Sequence, residues 1–256
     1  MRILALGDVV GGAALLHLQK KLWAFRREHR VDLVVANGEN VSDIRGITAE
    51  DAKRLLDTGV DVITLGNHAF GRRDLSPFLE SDERIVRPAN YPSAAPGNGY
   101  TILRIDGYRI LVINICGRVY LDPLADPFET VERILAREEG AYDLAIMDIH
   151  AEATSEKLAL AYVFDGKIAV MFGTHTHVPT ADEQILPQGS GYVTDLGMCG
   201  PKGSILGTDR ACVIRKFRTM LPTAFSVAEG EIEAMGVLYD VDVDAGRTCS
   251  LGRVRF

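Results

Sequence analysis

Two histidines, His175 and His177, stand two residues apart in GTHTHVP (Gly173–Pro179), at the end of an apolar run. Residues i and i+2 of an extended segment face the same side, so the spacing predicts that both imidazoles serve one site. Four other apolar runs end in polar clusters of the same kind. Asp8 follows RILALG, Glu39 and Asn40 follow VDLVVANG, Asn67 and His68 follow VDVITLG, and His150 closes DLAIMDIH. The donors are mixed: carboxylate oxygen from Asp8 and Glu39, amide oxygen from Asn40 and Asn67, and imidazole nitrogen from His150, His175 and His177. A structural zinc needs four ligands, often thiolates. Seven oxygen and nitrogen donors suffice for two divalent ions if one carboxylate bridges them. Such a pair, about 3.5–4 Å apart, clamps the attacking and leaving oxygens of an in-line phosphoryl displacement. The donor set suits Mn, Fe or Zn, with Mg also open.

Taken singly, each residue has an ordinary reading. Asp8 could cap a helix, Glu39-Asn40 could form a solvated turn, and His68 and His150 could be hydrogen-bonded core histidines. Their shared placement argues for a common site, because ligands of open α/β sheets bind beyond the carboxyl ends of the strands. Gly7, Gly38, Gly66 and Gly173 precede the clusters, and glycine is expected there for its backbone freedom. GDVVGG lacks the GxGxxG spacing of a dinucleotide site, and Asp8 would repel a pyrophosphate.

The elements that must position these residues follow from periodicity. Arg2–Leu6, Val31–Asn37 and Val60–Gly66 read as buried strands. Leu15–Arg27 carries apolar residues at helical spacing, and Thr48 with Asp51 resembles a capping box for a helix through Leu56. Tyr100–Asn114 reads as a hairpin about Asp106-Gly107. A helix is expected from Pro127 to about Glu138, strands over Asp143–His150 and Lys167–Gly173, and a helix near Ser155–Val163. From Ala224 onward short strands and turns are expected. This order predicts one α/β domain spanning 1–256, with two packed sheets.

The net charge of −7 over 256 residues argues against coating long nucleic acid, which needs clustered Lys and Arg. Four widely spaced cysteines fit no metal finger and are expected as buried free thiols in a reducing cytoplasm. No apolar run approaches membrane-spanning length, and the N-terminus does not resemble a signal peptide. A homo-oligomer remains open.

The set GDxxG, GEN, GNH, a lone strand-end histidine and GTHTH resembles the calcineurin-like metallophosphoesterase superfamily. NGEN, TLGNH, RPANYP, HAEATSEK, GTHTHVPTAD and DLGMCGP narrow the resemblance to the bacterial YmdB-like subfamily, from residue 1 to about Gly230. The resemblance implies a four-layer α/β/β/α sandwich. It implies one metal held by Asp8, Glu39, Asn40 and His177, and another held by Glu39, Asn67, His150 and His175, with Glu39 bridging. Most of the superfamily carries a DxH first motif; here Val10 stands at the histidine position, and Asn40 is the substitute. An amide in place of an imidazole hardens that site and favours Fe or Mn over Zn. His68 is implied as the general acid rather than a ligand.

The activity so implied is hydrolysis of phosphodiesters, including 2′,3′-cyclic nucleotides, by a hydroxide bridging the metals. Two alternatives stand beside it: a metal-dependent phosphomonoesterase, and a metal-bound cyclic-nucleotide sensor that needs no turnover. Two loops depart from the subfamily pattern, VSDIRG after GEN (with Asp43) and AFGRR after GNH. Both are expected to border the pocket. Arg87, Arg118 and Lys157 could meet phosphate, although structural ion pairing is the favoured reading. Glu152 and Thr154 are expected to cap a helix behind the His150 loop.

Overall fold

The computed structural model describes residues 1–256. The N-terminal half runs β1 (Arg2–Leu6), β2 (Asp8–Val9), α1 (Gly11–His29), β3 (Leu33–Asn37), α2 (Ala49–Asp57), β4 (Val62–Thr64), α3 (Ser76–Ser81), β5 (Ile85–Val86), β6 (Tyr100–Ile105) and β7 (Tyr108–Cys116). The remainder comprises α4 (Pro127–Arg137), β8 (Leu144–His150), α5 (Thr154–Val163), β9 (Val170–Thr174), β10 (Gln184–Ile185), β11 (Gly191–Val193), β12 (Met198–Pro201), α6 (Arg210–Thr219), β13 (Ile232–Glu233), β14 (Met235–Asp242) and β15 (Arg247–Arg255).

Two six-stranded sheets form the centre, ordered β15-β14-β1-β3-β4-β5 and β10-β11-β9-β8-β7-β6. The strands β1, β3, β4 and β5 are parallel, as are β7, β8, β9 and β11. Covered on both faces, β3, β8 and β9 are buried along their whole length, which is why their sequences read as apolar runs.

Three apolar clusters separate four layers. One packs α1 and α2, through Leu15, Leu18, Leu22, Leu55 and Leu56, onto one face of the first sheet. A second lies between the sheets, where Ile3, Leu33, Val35 and Val62 meet Val112, Ile146, Val170 and Phe172. The third joins α4 and α5 to the outer face of the second sheet through Val131, Ile134, Leu160 and Ala161. Each fully buried Leu, Ile or Val contributes about 1.5–3 kcal/mol. The architecture is the four-layer α/β/β/α sandwich of metallophosphoesterases.

Local signals explain the element ends. Thr48 accepts a hydrogen bond from Asp51 N at 3.1 Å and caps α2, and Asp126 caps α4. Asp106 (φ 49°) and Gly107 (φ 90°) form the β6–β7 hairpin turn. The first helix starts at Gly11, four residues before the expected Leu15. The C-terminal segment departs most from expectation: β14 and β15 are long antiparallel strands, and β14 pairs with β1 from Arg2↔Asp240 to Leu6↔Gly236. Their half-exposed alternation and interrupting glycines hide this pairing from periodicity. All four cysteines are free, but Cys212 is only partly buried and Cys249 is exposed on β15, unlike the buried Cys116 and Cys199. No helix is long and apolar enough to cross a membrane.

Candidate metal centre

The expected residues converge where β1, β3, β4, β8 and β9 end. Asp8, Glu39, Asn40 and His150 are buried. His150 Nε2 lies 2.9 Å from Asn67 Oδ1, 3.0 Å from Glu39 Oε1 and 3.1 Å from His175 Nδ1. On the other side of Asp8, its Oδ1 lies 3.6 Å from His177 Nε2. Asn40 joins this side by a parallel bridge to Val10, two residues past Asp8.

Hydrogen bonding sets which nitrogen of each imidazole faces the cluster. His177 Nδ1–H donates to Leu206 O at 3.0 Å. His175 Nε2 lies 3.0 Å from Glu152 Oε2, while its Nδ1 faces His150. Thr174 gives its hydroxyl proton to Asp148 Oδ1 at 2.7 Å, so it accepts from His150 Nδ1–H at 2.9 Å. His150 and His177 thus donate outward and turn a lone pair inward, the arrangement that orients imidazole ligands, and His175 turns Nδ1 toward the same cluster. His150 Nε2, Glu39 Oε1 and Asn67 Oδ1 are then three acceptors with no proton among them. The side-chain oxygens Asp8 Oδ1 and Asn40 Oδ1 are buried and have no hydrogen-bond partner. Leaving such an atom unpaired costs about 1–3 kcal/mol, and more when it is charged. A cation removes both difficulties. Glu39, His150 and His175 also place one ligand atom each within 4.8 Å of one another, close enough to hold a common ion. The residues fit divalent ions.

Without a cation, protons take the lone pairs unequally. Burial lowers the pKa of His177, but the Asp8 carboxylate overrides it and raises it to about 9. Burial and the charge of His150 push His175 down to about 4. Burial of Glu39 opposes its charge, yet the adjacent His150 keeps its pKa below the ordinary value.

The His175–His177 segment is not extended as the spacing suggested. Both residues have positive φ, 95° and 62°, a conformation that costs a non-glycine residue about 1–3 kcal/mol. The backbone coils so that His175 faces His150 while His177 faces Asp8. A buried ion pair supports this loop. Lys157 Nζ donates to Thr174 O and to Asp195 Oδ2, both at 2.8 Å, and Asp195 Oδ2 accepts from Thr176 N and Oγ1. Lys157 is therefore structural. Arg87 is also occupied, donating to the carbonyls of Pro88, Ala95 and Pro96, and Arg118 pairs with Asp126 at 2.7 Å.

The glycines before the clusters act through space rather than backbone freedom, since none of the four has positive φ. A Cβ on Gly66 would lie 2.2 Å from His150 Nε2, and one on Gly173 would lie 1.8 Å from Thr194 O. The expected cap by Glu152 and Thr154 does not form, because α5 begins at Thr154 with no side-chain cap. Glu152 instead orients His175.

His68 stands beside the cluster. Its backbone N–H donates to Glu39 Oε2 at 2.9 Å, while its ring makes none of the contacts above. Burial, with the Arg45 charge adding to it, holds the His68 pKa below its ordinary value.

Sequence reading passed over Asp148, Asn37 and Thr64. Asp148 is fully buried behind His150, and burial pushes its pKa up to about 6. It accepts from Thr64, Thr174 and, at 3.3 Å, Asn37 Nδ2. The available signal was a polar residue inside an apolar strand, two positions before a candidate ligand: Asn37 before Glu39, and Asp148 before His150.

Comparison with known proteins agrees with this geometry. The YmdB-like protein family model matches residues 4–254. A Bacillus subtilis protein named 2′,3′-cyclic-nucleotide 2′-phosphodiesterase is 40% identical over 254 residues, covering 99% of this chain and 96% of that protein. A crystal structure of a hypothetical protein from Thermus thermophilus superposes with a TM-score of 0.94 at 38% identity, covering 100% of this chain and 99% of the other. The structure of a novel phosphatase from Mycoplasma pneumoniae also gives 0.94, at 32% identity, covering 100% and 93%. With almost its entire length matched by the family, and with the family's motifs gathered at one set of strand ends, this chain belongs to the YmdB-like proteins.

Proposed function

We propose that the chain is a phosphoric ester hydrolase, a dinuclear metal-dependent phosphodiesterase that opens 2′,3′-cyclic nucleotides, with His68 as general acid. The observation that carries this reading is the gathering of three imidazoles, two of them donating outward and turning a lone pair inward, around buried carboxylates and unpartnered amide and carboxylate oxygens. The Bacillus subtilis relative's name supports the substrate class. Asp8, Asn40 and His177 would hold one divalent ion and Asn67, His150 and His175 the other, with Glu39 shared. The amide and carboxylate oxygens favour Fe or Mn. When bound, such ions supply an activated water and neutralise nonbridging phosphate oxygens.

The chain's own residues do the rest. Glu39 turns one oxygen to His150 and is held through the other by the His68 backbone N–H, so the cage and the acid share one anchor. The low pKa of His68 in the free protein rises when a phosphate anion binds beside it, which loads the ring with a proton. That proton passes to the departing ribose oxygen. The phosphatase name of the Mycoplasma relative supports a second reading, action on phosphomonoesters.

Metal analysis with a hydrolysis panel of cyclic nucleotides, linear diesters and monoesters tests both. His68→Ala should retain two ions and lose about 10²–10⁴-fold in kcat on cyclic nucleotides, with a smaller loss on aryl esters whose leaving group needs no proton. An ion lost from that variant would make His68 a ligand and overturn its role.

A further inference from the structure

The two loops that depart from the subfamily pattern are bound to each other. Arg72, from AFGRR, donates through Nη2 to Ser42 O at 2.7 Å and to Asp43 Oδ2 at 3.2 Å, and through Nε to Arg45 O at 3.2 Å. Asp43 and Ile44 are held at φ 55° and 73°. A β-branched residue in the left-handed region is a true outlier, and such strain persists only where surroundings impose it. Here it turns Ile44 O toward Asn40, whose Nδ2 donates to it at 2.6 Å. One amide therefore serves the wall of this loop and offers its orphaned oxygen to the candidate metal centre.

Asp43, Ile44 and Arg45 form one side of a cleft of about 350 Å³, and Thr223 and Phe225 form the other. The second wall is also tied to the centre. Past Phe225, Val227 bridges to Thr208 and packs on Gly11, while Leu206 O takes the His177 proton. Both walls thus lead down to proposed ligands, Asn40 on one side and His177 on the other. The cleft offers an aromatic ring that is 48% exposed, and Arg45 enters no ion pair. Thr223 Oγ1 spends its proton on Leu221 O at 3.1 Å, leaving only acceptor capacity. An aromatic face without base-edge donors, beside a free guanidinium, suits a nucleobase held by stacking and a phosphate held by charge.

We infer that this cleft is the nucleoside subsite, with the base stacked on Phe225 and Arg45 facing the phosphate. The inference rests on the phosphodiesterase reading above. In that reaction water adds its oxygen to phosphorus and gives up one proton, the bond from phosphorus to O2′ breaks, and O2′ takes the proton of His68, which the proton released from water then restores. The new P–OH loses its proton to solvent, so the product 3′-phosphate is more negative than the diester, and its nucleoside stays in the cleft.

The test compares kcat/KM for adenosine 2′,3′-cyclic phosphate with that for glycerol cyclic phosphate, a five-membered cyclic diester without a base. Phe225→Ala should lower the ratio of the two by about tenfold or more, and Phe225→Trp should keep it near wild type. An unchanged ratio in Phe225→Ala, or an equal fall in both variants, would overturn the subsite. Calorimetric titration with adenosine 3′-monophosphate separates this outcome from failure of the activity itself. Should wild type hydrolyse neither diester, the phosphodiesterase reading falls. Weaker nucleotide binding by Phe225→Ala, but not by Phe225→Trp, would still support the cleft, and equal binding by all three would refute it.

Discussion

At the scale of single residues, the candidate centre is an excess of acceptors. Asp8 Oδ1 and Asn40 Oδ1 lie buried without a donor, and three imidazoles gather around them and around Glu39, two of them turning lone pairs inward. Neutral hydrogen bonding cannot satisfy such a set, but cations can. Asn40 is the informative position, because the resemblance implies that its amide replaces an imidazole two residues after the first aspartate and because its backbone bridges Val10 at that position. Asn40→Ala should weaken one ion selectively, by at least about 10–100-fold, the range produced even by partners outside the coordination sphere. Metal content after dialysis should then fall from two toward one per chain. Two ions retained at full affinity would remove Asn40 from the ligand set. The residue types of the centre were readable from the sequence because each stands at the end of an apolar run. The supports Asp148, Thr64 and Asn37 were not, because a polar side chain within a strand gives no sign of what faces it in another sheet.

At the scale of elements, strand ends meet so tightly that no side chain fits at Gly7, Gly66 or Gly173. Gly173 lies against Thr194 O, where a Cβ would stand at 1.8 Å. Gly173→Ala must therefore part β9 from the segment after β11, which β9 pairs in parallel from Val170↔Gly191 to Phe172↔Val193. Overpacking of this kind costs about 1–3 kcal/mol or more, and a urea midpoint lowered with unchanged m-value should report it. A second element-level effect is acid sensitivity at the entry to β8. The side-chain hydrogen bond from Arg109, with a second from its backbone N–H, lowers the Asp143 pKa from 3.8 to about 2. Because the folded value is the lower one, this stabilisation is present above pH 3.8 and is lost as pH falls toward 2. The stability difference between wild type and Asp143→Asn should be constant above about pH 5 and shrink progressively toward about pH 1. A difference independent of pH would contradict the assignment. The elements themselves were largely legible: β1, the Asp106-Gly107 hairpin, α4 and β8 stand within a residue or two of expectation. The long β14 and β15 were not, because their exposure alternates irregularly and their partner is the far end of the chain, Arg2–Leu6.

At the scale of the whole molecule, ions bound to five strand ends would cross-link both sheets. Ligand linkage then predicts that thorough chelation lowers stability by about 2.7 kcal/mol when the free ion had been at 100 times its Kd. For a chain of this size that corresponds to a melting temperature lower by about 5–10 °C. Differential scanning calorimetry before and after chelation, with recovery on adding Fe or Mn, checks it, and an unmoved transition would argue against ions that bridge the layers. By itself the sequence determined the donor types and the strands that carry them, since apolar runs ending in Asp, Glu, Asn and His are local patterns. It also determined the family, because HAEATSEK and GTHTHV are specific strings. Only the tertiary structure decided how the histidines face their partners, through positive φ at His175 and His177 rather than an extended segment. It alone revealed that Gly66 and Gly173 are needed for space, and that Arg72 reaches back to brace Asp43. The reason is physical: tautomer, steric room and ion pairing depend on atoms brought close by folding from distant parts of the chain, and no local pattern encodes those distances.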